Sequence, residues 1–284
     1  FYTLMIGCSD MGTGCDTILA QMAADGLGCD MDNIIVRGVD TDQSPYDSGS
    51  YASSTTYVTG GAVVKACESM RKRICEEAAA IMGLKSGEVD FDGETISEND
   101  NPEHSMTLSD LITSLEAGNG RIIEVTESHT SPVSPPPFMA GAAEIEVDLE
   151  TGKITPINYV AAVDCGTVIN TNLARIQTEG GIVQGMGMTL YEDVQYTEAG
   201  KMKNRNFMSY KIPTRLDMGS ISVEFESSYE QTGPYGAKSI GEIVINTPAP
   251  AIADAVYNAT GLRFRTLPIT AEQVMMGLLE REEA

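Results

Sequence analysis

At 284 residues the chain is long enough for one large or two modest domains with a substantial core. Its charge is strongly acidic, 18 Lys and Arg against 41 Asp and Glu for a net −23, which disfavours a nucleic-acid backbone or an anionic membrane as partner. No apolar run approaches the ~20 residues of a membrane span, and no basic stretch leading into an apolar one marks a secretory signal. The six cysteines form no CxxC pair and have no His at ligand spacing. Iron–sulfur or zinc ligation within the chain is therefore not expected, and reduced, buried thiols in a cytoplasmic protein are.

In chain order, residues 2–8 read as a strand already in progress, and the lack of a starting Met suggests that the numbering begins inside a larger folding unit. Gly12-Thr-Gly14 is a turn, and Thr17–Ala24 carries helical periodicity closed by Gly26 and Gly28. Asn33–Arg37 is a second short strand, giving a βαβ-like unit. A polar loop over Asp40–Ser54 leads to a long helix from about Thr56 to Met82, with Val63, Ala66, Met70 and Ile74 on one face. A hairpin turns at Asp92-Gly93, and a short helix over Leu108–Ala117 is capped by Thr107 or Ser109. Ser131-Pro-Val-Ser-Pro-Pro-Pro137 neither pairs in a sheet nor continues a helix, so it marks a crossover between subdomains 1–130 and 131–284. Beyond it, Ala143–Asp148 and Ile154–Val163 form a hairpin through Thr151-Gly152, with Ile145/Val147 and Ile157/Tyr159 as the buried alternation. A helix around Arg175–Gln184, a hairpin near Ala199-Gly200, a strand over Ile221–Phe225, a helical pattern over Ala251–Tyr257 and a last helix over Ala271–Arg281 complete an α+β or mixed α/β chain.

Four stretches have residue types that carry chemistry. Asp10-Met-Gly-Thr-Gly14 opens a helix, where free N–H groups and the positive dipole end suit a phosphate. A tight turn explains it equally well, and the glycine spacing does not match a dinucleotide fingerprint. Gly49-Ser-Tyr-Ala-Ser-Ser-Thr-Thr56 gathers hydroxyls and amides at a helix start, either as an anion- or pterin-binding surface or as an N-cap. The glycine-rich helix Ile176–Gly187 lets a backbone or a flat ligand approach closely, and Gln177 both donates and accepts. Gly236-Ala-Lys-Ser-Ile-Gly-Glu242 sets one carboxylate on a glycine-flanked loop before an apolar run, as suits a general base; the alternative is a solvated surface turn. Ser239 loosely imitates a hydrolase nucleophile, but both histidines, His104 and His129, precede it in the chain.

Taken together and in order, these stretches resemble the molybdopterin-binding subunit of the xanthine dehydrogenase/aldehyde oxidase family of molybdenum hydroxylases. The family's G-Q-G turn, D-T-x-x-x-P loop with A-S-x-S/T-T, Q-x-E-G-x-x-Q-G-x-G helix and K-x-x-G-E loop correspond to four segments of this chain. These are Gly12–Gly14, Asp40–Pro45 with Ala52–Thr56, Gln177–Gly187 and Lys238–Glu242. Tyr210-Lys-Ile-Pro213 and Asp164-Cys-Gly166 are further landmarks. The resemblance implies a molybdopterin-binding domain of two subdomains with mixed sheets and packed helices, acting in hydroxylation of a purine, another N-heterocycle or an aldehyde with oxygen from water.

It further implies that Glu242, poised by burial, is the base. Met11, Gly12, Thr13, Gly14, Ala52, Ser53, Thr55, Thr56, Gln177 and Gly241 would hold the molybdopterin, in the cytosine dinucleotide form usual in bacterial members. No residue of this chain is implied as a metal ligand. Thr13 stands where the family often has Gln. The upstream half of the molybdenum domain, an iron–sulfur subunit and an FAD subunit are the implied partners, with no nucleic acid and no membrane. A non-catalytic structural subunit of a similar assembly is the alternative.

Overall fold

A computed structural model describes residues 1–282. The chain forms two compact units: Phe1–Ser134 with Gln231–Ala237, and Pro135–Glu230 with the chain from Lys238 onward. Helices and sheets are mixed in both, as the sequence patterns require. Among the described residues no helix is long and apolar enough to cross a membrane.

Unit one opens with the expected βαβ element. Strands β1 (Tyr2–Ile6) and β2 (Ile34–Gly38) pair in parallel, joined by helix α1 (Cys15–Leu27). Gly28, at φ 73°, ends α1, and the Cys29 N–H closes the turn on the Ala24 carbonyl at 3.0 Å. Gly26 does not end the helix as its sequence position suggests. It lies inside α1, where an added Cβ would stand 2.9 Å from Cys67 Cβ, so its role is close helix approach. Helix α2 (Gly60–Met82) begins later than expected, because a wider π-type turn over Thr55–Thr59 precedes it and keeps the helical path continuous. Strands β3 (Val89–Phe91), β4 (Thr95–Glu98) and β5 (Asn101–Thr107) form an antiparallel meander. Its first turn is held by Asp92 Oδ1, which accepts from the Glu94 and Thr95 amides. Thr107 caps helix α3 (Leu108–Asn119), accepting from the Asp110 amide at 3.1 Å. Ile74 and Ala78 of α2, Phe91 and Ile96 of the meander, and Leu111 of α3 share one buried core.

Unit two is built on a sheet of order β6-β7-β8, with β6 (Phe138–Val147) antiparallel to β7 (Ile154–Asp164) and β8 (Ser220–Phe225) parallel to it. The register shows why the expected alternation fails at Ile157. Glu144 opposes Asn158 but Ile145 opposes Pro156, so one residue of β7 has no partner and the strand bulges there. The bulge turns Ile157 outward to 40% exposure and keeps Pro156 and Tyr159, three positions apart, on the buried face. Pro156 also precedes the segment that pairs with β8, so its missing N–H removes no ladder bond to that strand.

Helix α4 (Thr171–Leu190) connects β7 towards β8, and the chain ends in α5 (Ile243–Asn246), α6 (Pro248–Thr260) and α7 (Ala271–Glu282). Tyr159, Ala161 and Val163 pack with Ile182 and Met186 of α4 and Ile252 and Val256 of α6. Each large side chain fully buried in this way contributes roughly 1.5–3 kcal/mol. The hairpin expected at Ala199-Gly200 is reduced to a single bridge between Tyr196 and Met202.

Candidate functional site

In unit one, helix packing gathers two of the sequence-derived stretches. A Cβ on Gly60 would lie 2.8 Å from the Met22 sulfur, and Gly26 meets Cys67, so α1 and the path from Thr55 run side by side in one direction. The Met11–Gly14 turn and Ala52–Thr56 therefore lie at the same end of the unit. Asp47 braces the second of these stretches: its Oδ1 accepts from the Gly49 amide at 2.7 Å and its Oδ2 from Thr59 Oγ1 at 3.2 Å.

The Gly12-Thr-Gly14 turn is not the open anion cradle that its glycines suggest. Asp10 Oδ1 accepts from the amides of Gly12 at 2.8 Å and Gly14 at 3.1 Å, and Oδ2 from that of Asp16 at 3.3 Å. Burial alone would raise the Asp10 pKa, but these amides outweigh it and hold it below the ordinary carboxylate value. The helix start is thus capped by the chain's own carboxylate. Met11, Gly12 and Thr13 remain exposed, and among the described residues nothing lies within 4 Å of where a Gly12 Cβ would stand. Asp10, Cys15 and Asp16 bring one ligand atom each within 4.8 Å of one another, but the Asp10 oxygens there are already engaged by amides.

At the second stretch the backbone is left-handed at two non-glycine residues, Ala52 (φ 50°) and Ser53 (φ 57°). Such a conformation is rare away from glycine and costs about 1–2 kcal/mol per residue; where it persists it marks a site that the surroundings over-determine. Ser50 and Thr55 hydroxyls bond each other at 2.6 Å, and the side chains of Ser53, Thr55 and Thr56 are half-buried around the turn.

In unit two, Gln177 and the Glu242 loop are brought onto neighbouring elements by glycines. A Cβ on Gly181 would collide with Val244 Cγ2, and one on Gly185 would stand 2.8 Å from Pro248 Cγ. Helix α4 and the α5–α6 segment therefore run in the same direction in close backbone contact. Gln177 lies one turn before Gly181 on α4, and Glu242 two residues before Val244, so both are carried on the segments that meet at this contact. Gly180, by contrast, faces open space. Glu242 stands immediately before α5 and is exposed, so the burial expected of it is not met within this chain: the apolar residues after it, Val244 above all, turn towards α4 instead.

Sequence reading did not single out what holds this loop. Lys238 is only 7% exposed; its Nζ donates to Asp164 Oδ2 at 2.7 Å and to the Pro136 carbonyl at 3.3 Å, and sits 5.3 Å above the Phe138 ring. Its amide donates to the Cys165 carbonyl at 2.7 Å. Asp164 Oδ1 accepts from Ser228 Oγ at 2.5 Å and the Gly166 amide at 3.0 Å. Burial raises the Asp164 pKa, but the Lys238, Ser228 and Gly166 bonds prevail and keep it below the ordinary value. Both motifs were visible in the sequence, 74 positions apart, without a signal that they pair.

The profile of the molybdopterin cofactor-binding domain matches residues 2–219. This chain belongs to that family. Probable hypoxanthine oxidase XdhD of Escherichia coli (strain K12) is 33% identical over 277 residues, covering 96% of this chain and 28% of that protein. The xanthine dehydrogenase molybdenum-binding subunit of Escherichia coli O157:H7 is 30% identical over 273 residues, covering 94% and 36%. Quinoline 2-oxidoreductase from Pseudomonas putida 86 superposes with a TM-score of 0.82 at 26% identity, over 98% of this chain and 36% of that one. The chain thus spans about a third of the length of the proteins it matches. It is a molybdenum-cofactor-binding domain of the xanthine dehydrogenase/aldehyde oxidase family, with that family's mixed α/β fold.

Proposed function

We propose that this chain forms the cofactor-binding and base-bearing part of a molybdenum hydroxylase acting on an electron-poor carbon of a purine, another N-heterocycle or an aldehyde. The observation that carries the reading is the Lys238–Glu242 loop, pinned by Lys238 to Asp164 and ending in an exposed carboxylate just before the α5 segment that packs on α4. The donor set suits the cofactor: hydroxyls of Ser53, Thr55 and Thr56 around a left-handed backbone at Ala52 and Ser53, and the amide of Gln177. Met11, Gly12, Thr13, Gly14 and Gly241 complete the set through their exposed or Cβ-free surfaces. At Gly12 and Gly14 the contribution is close approach rather than amide donation, since Asp10 takes those amides. When bound, the molybdenum cofactor, here taken to be the cytosine dinucleotide form, supplies a two-electron acceptor. Glu242 accepts the proton that the water-derived oxygen must lose on forming a bond to carbon.

The upstream half of the molybdenum domain, whether a separate chain or contiguous sequence, completes the site and buries Glu242. Iron–sulfur and FAD subunits then carry electrons away, in the cytoplasm. One observation favours the alternative of a non-catalytic scaffold: α1 is capped by Asp10 without any ligand. Metal and pterin analysis of the protein purified with its co-purifying partners separates the two. Molybdenum near one per chain, with activity on N-heterocycles or aldehydes, supports the hydroxylase; an intact complex without molybdenum supports the scaffold.

A further inference from the structure

We propose that Lys238 is a positioning residue for Glu242, acting through its buried ion pair with Asp164. The proposal rests on the reading of Glu242 as the base. Lys238 is not itself a ligand or nucleophile, because its ammonium has three N–H bonds and the fold supplies a receiver for each. Asp164 Oδ2 and the Pro136 carbonyl accept from it, and the Phe138 ring presents its π face. Together with the bond from its own amide to the Cys165 carbonyl, these contacts fix the start of the loop to the end of β7 and the start of β6.

The other end is fixed by Val244, fully buried against Gly181 of α4. Glu242 lies between the two anchors, on a span too short to wander while both hold. Ser228 extends the device: its hydroxyl and the Gly166 amide occupy Asp164 Oδ1, so that Oδ2 is aimed at Lys238. A carboxylate base must stand within hydrogen-bond reach of the proton it takes, and a displacement of 1 Å costs about 10²-fold in rate.

Removing Lys238 alone leaves Asp164 as an unpaired, partly buried charge, so Lys238→Met mixes a loss of stability with any loss of position. The informative variant is Lys238→Met/Asp164→Leu, which removes both charges and replaces them with apolar volume. The experiment uses the holoenzyme complex and compares this double variant with Glu242→Gln. It reads molybdenum content, kcat and KM, and hydrogen exchange of the amides in 239–246. The expected result for the double variant is parental molybdenum content, kcat lower by about 10²-fold with KM changed much less, and faster exchange across 239–246. Lys238→Arg, which keeps the charge, should restore part of the loss. A double variant with parental kcat and unchanged exchange, while Glu242→Gln is inactive, overturns the positioning role alone. Full activity in Glu242→Gln overturns the base reading and the proposal with it.

Discussion

Gly180 and Gly181 are adjacent in α4, and substituting each with Ala should move stability in opposite directions. In an open helical position, Ala is favoured over Gly by about 0.8–1 kcal/mol. Gly180 is such a position: it is exposed, and among the described residues a Cβ there has nothing within 4 Å. Gly181 gains the same backbone term, but its Cβ would collide with Val244 Cγ2 and lie 3.0 Å from Val244 Cβ. Val244 is fully buried at the start of α5 and has no free side to move into. Overpacking of this kind costs about 1–3 kcal/mol, so Gly181→Ala should lose a net of about 1 kcal/mol. The two variants should then differ by about 2 kcal/mol in urea denaturation. The clash makes a second, sharper prediction: in Gly181→Ala/Val244→Ala the new methyl occupies space that the lost ones vacate. The double variant should be more stable than the sum of its singles by about 1 kcal/mol. Gly181→Ala as stable as Gly180→Ala, or an additive double variant, would refute the close packing of α4 on α5.

Asp10→Ala should cost about 1 kcal/mol, the ordinary loss for a helix cap, measured by thermal or chemical denaturation. Asp10 and Asp164 both have folded pKa values below their unfolded ones. Their stabilisation is therefore complete above the unfolded value of about 3.9 and is lost as pH falls through the lower folded values; Asp10→Asn and Asp164→Asn should each flatten the acid limb of stability against pH. Burial pushes the Cys8 thiol up to about 12 and those of Cys67 and Cys165 to about 11. In the native protein at pH 8, iodoacetamide should accordingly reach the half-buried Cys29 and Cys75 first, as read by mass spectrometry.

Much of the fold could be read from local pattern. The βαβ opening, the Asp92-Gly93 hairpin, the Thr107 cap and the C-terminal helices follow from periodicity and turn chemistry, which act over a few residues. What escaped that reading is set by longer-range pairing. Ile157 was expected inside because strict alternation counts by two, and the bulge in β7 depends on the register with β6. Gly26 looked like a helix stop until Cys67 supplied a reason for it inside α1. The same distinction holds in the site. The four motifs were visible as residue types in order, but Asp10 capping the glycine turn and Lys238 pairing with Asp164 are matters of geometry. Asp10 did leave one local signal, an Asp two residues before a turn glycine, which is the pattern of a carboxylate folding back on its own amides.

Glu242 is proposed to take the proton in a site whose cofactor this chain helps to hold. The most direct measurement is kcat of Glu242→Gln in the holoenzyme complex, with molybdenum and pterin content determined on the same sample. Cofactor content should be unchanged and kcat should fall by about 10²–10⁴-fold, the range for removal of a general base. Parental turnover in a fully loaded Glu242→Gln enzyme would contradict it.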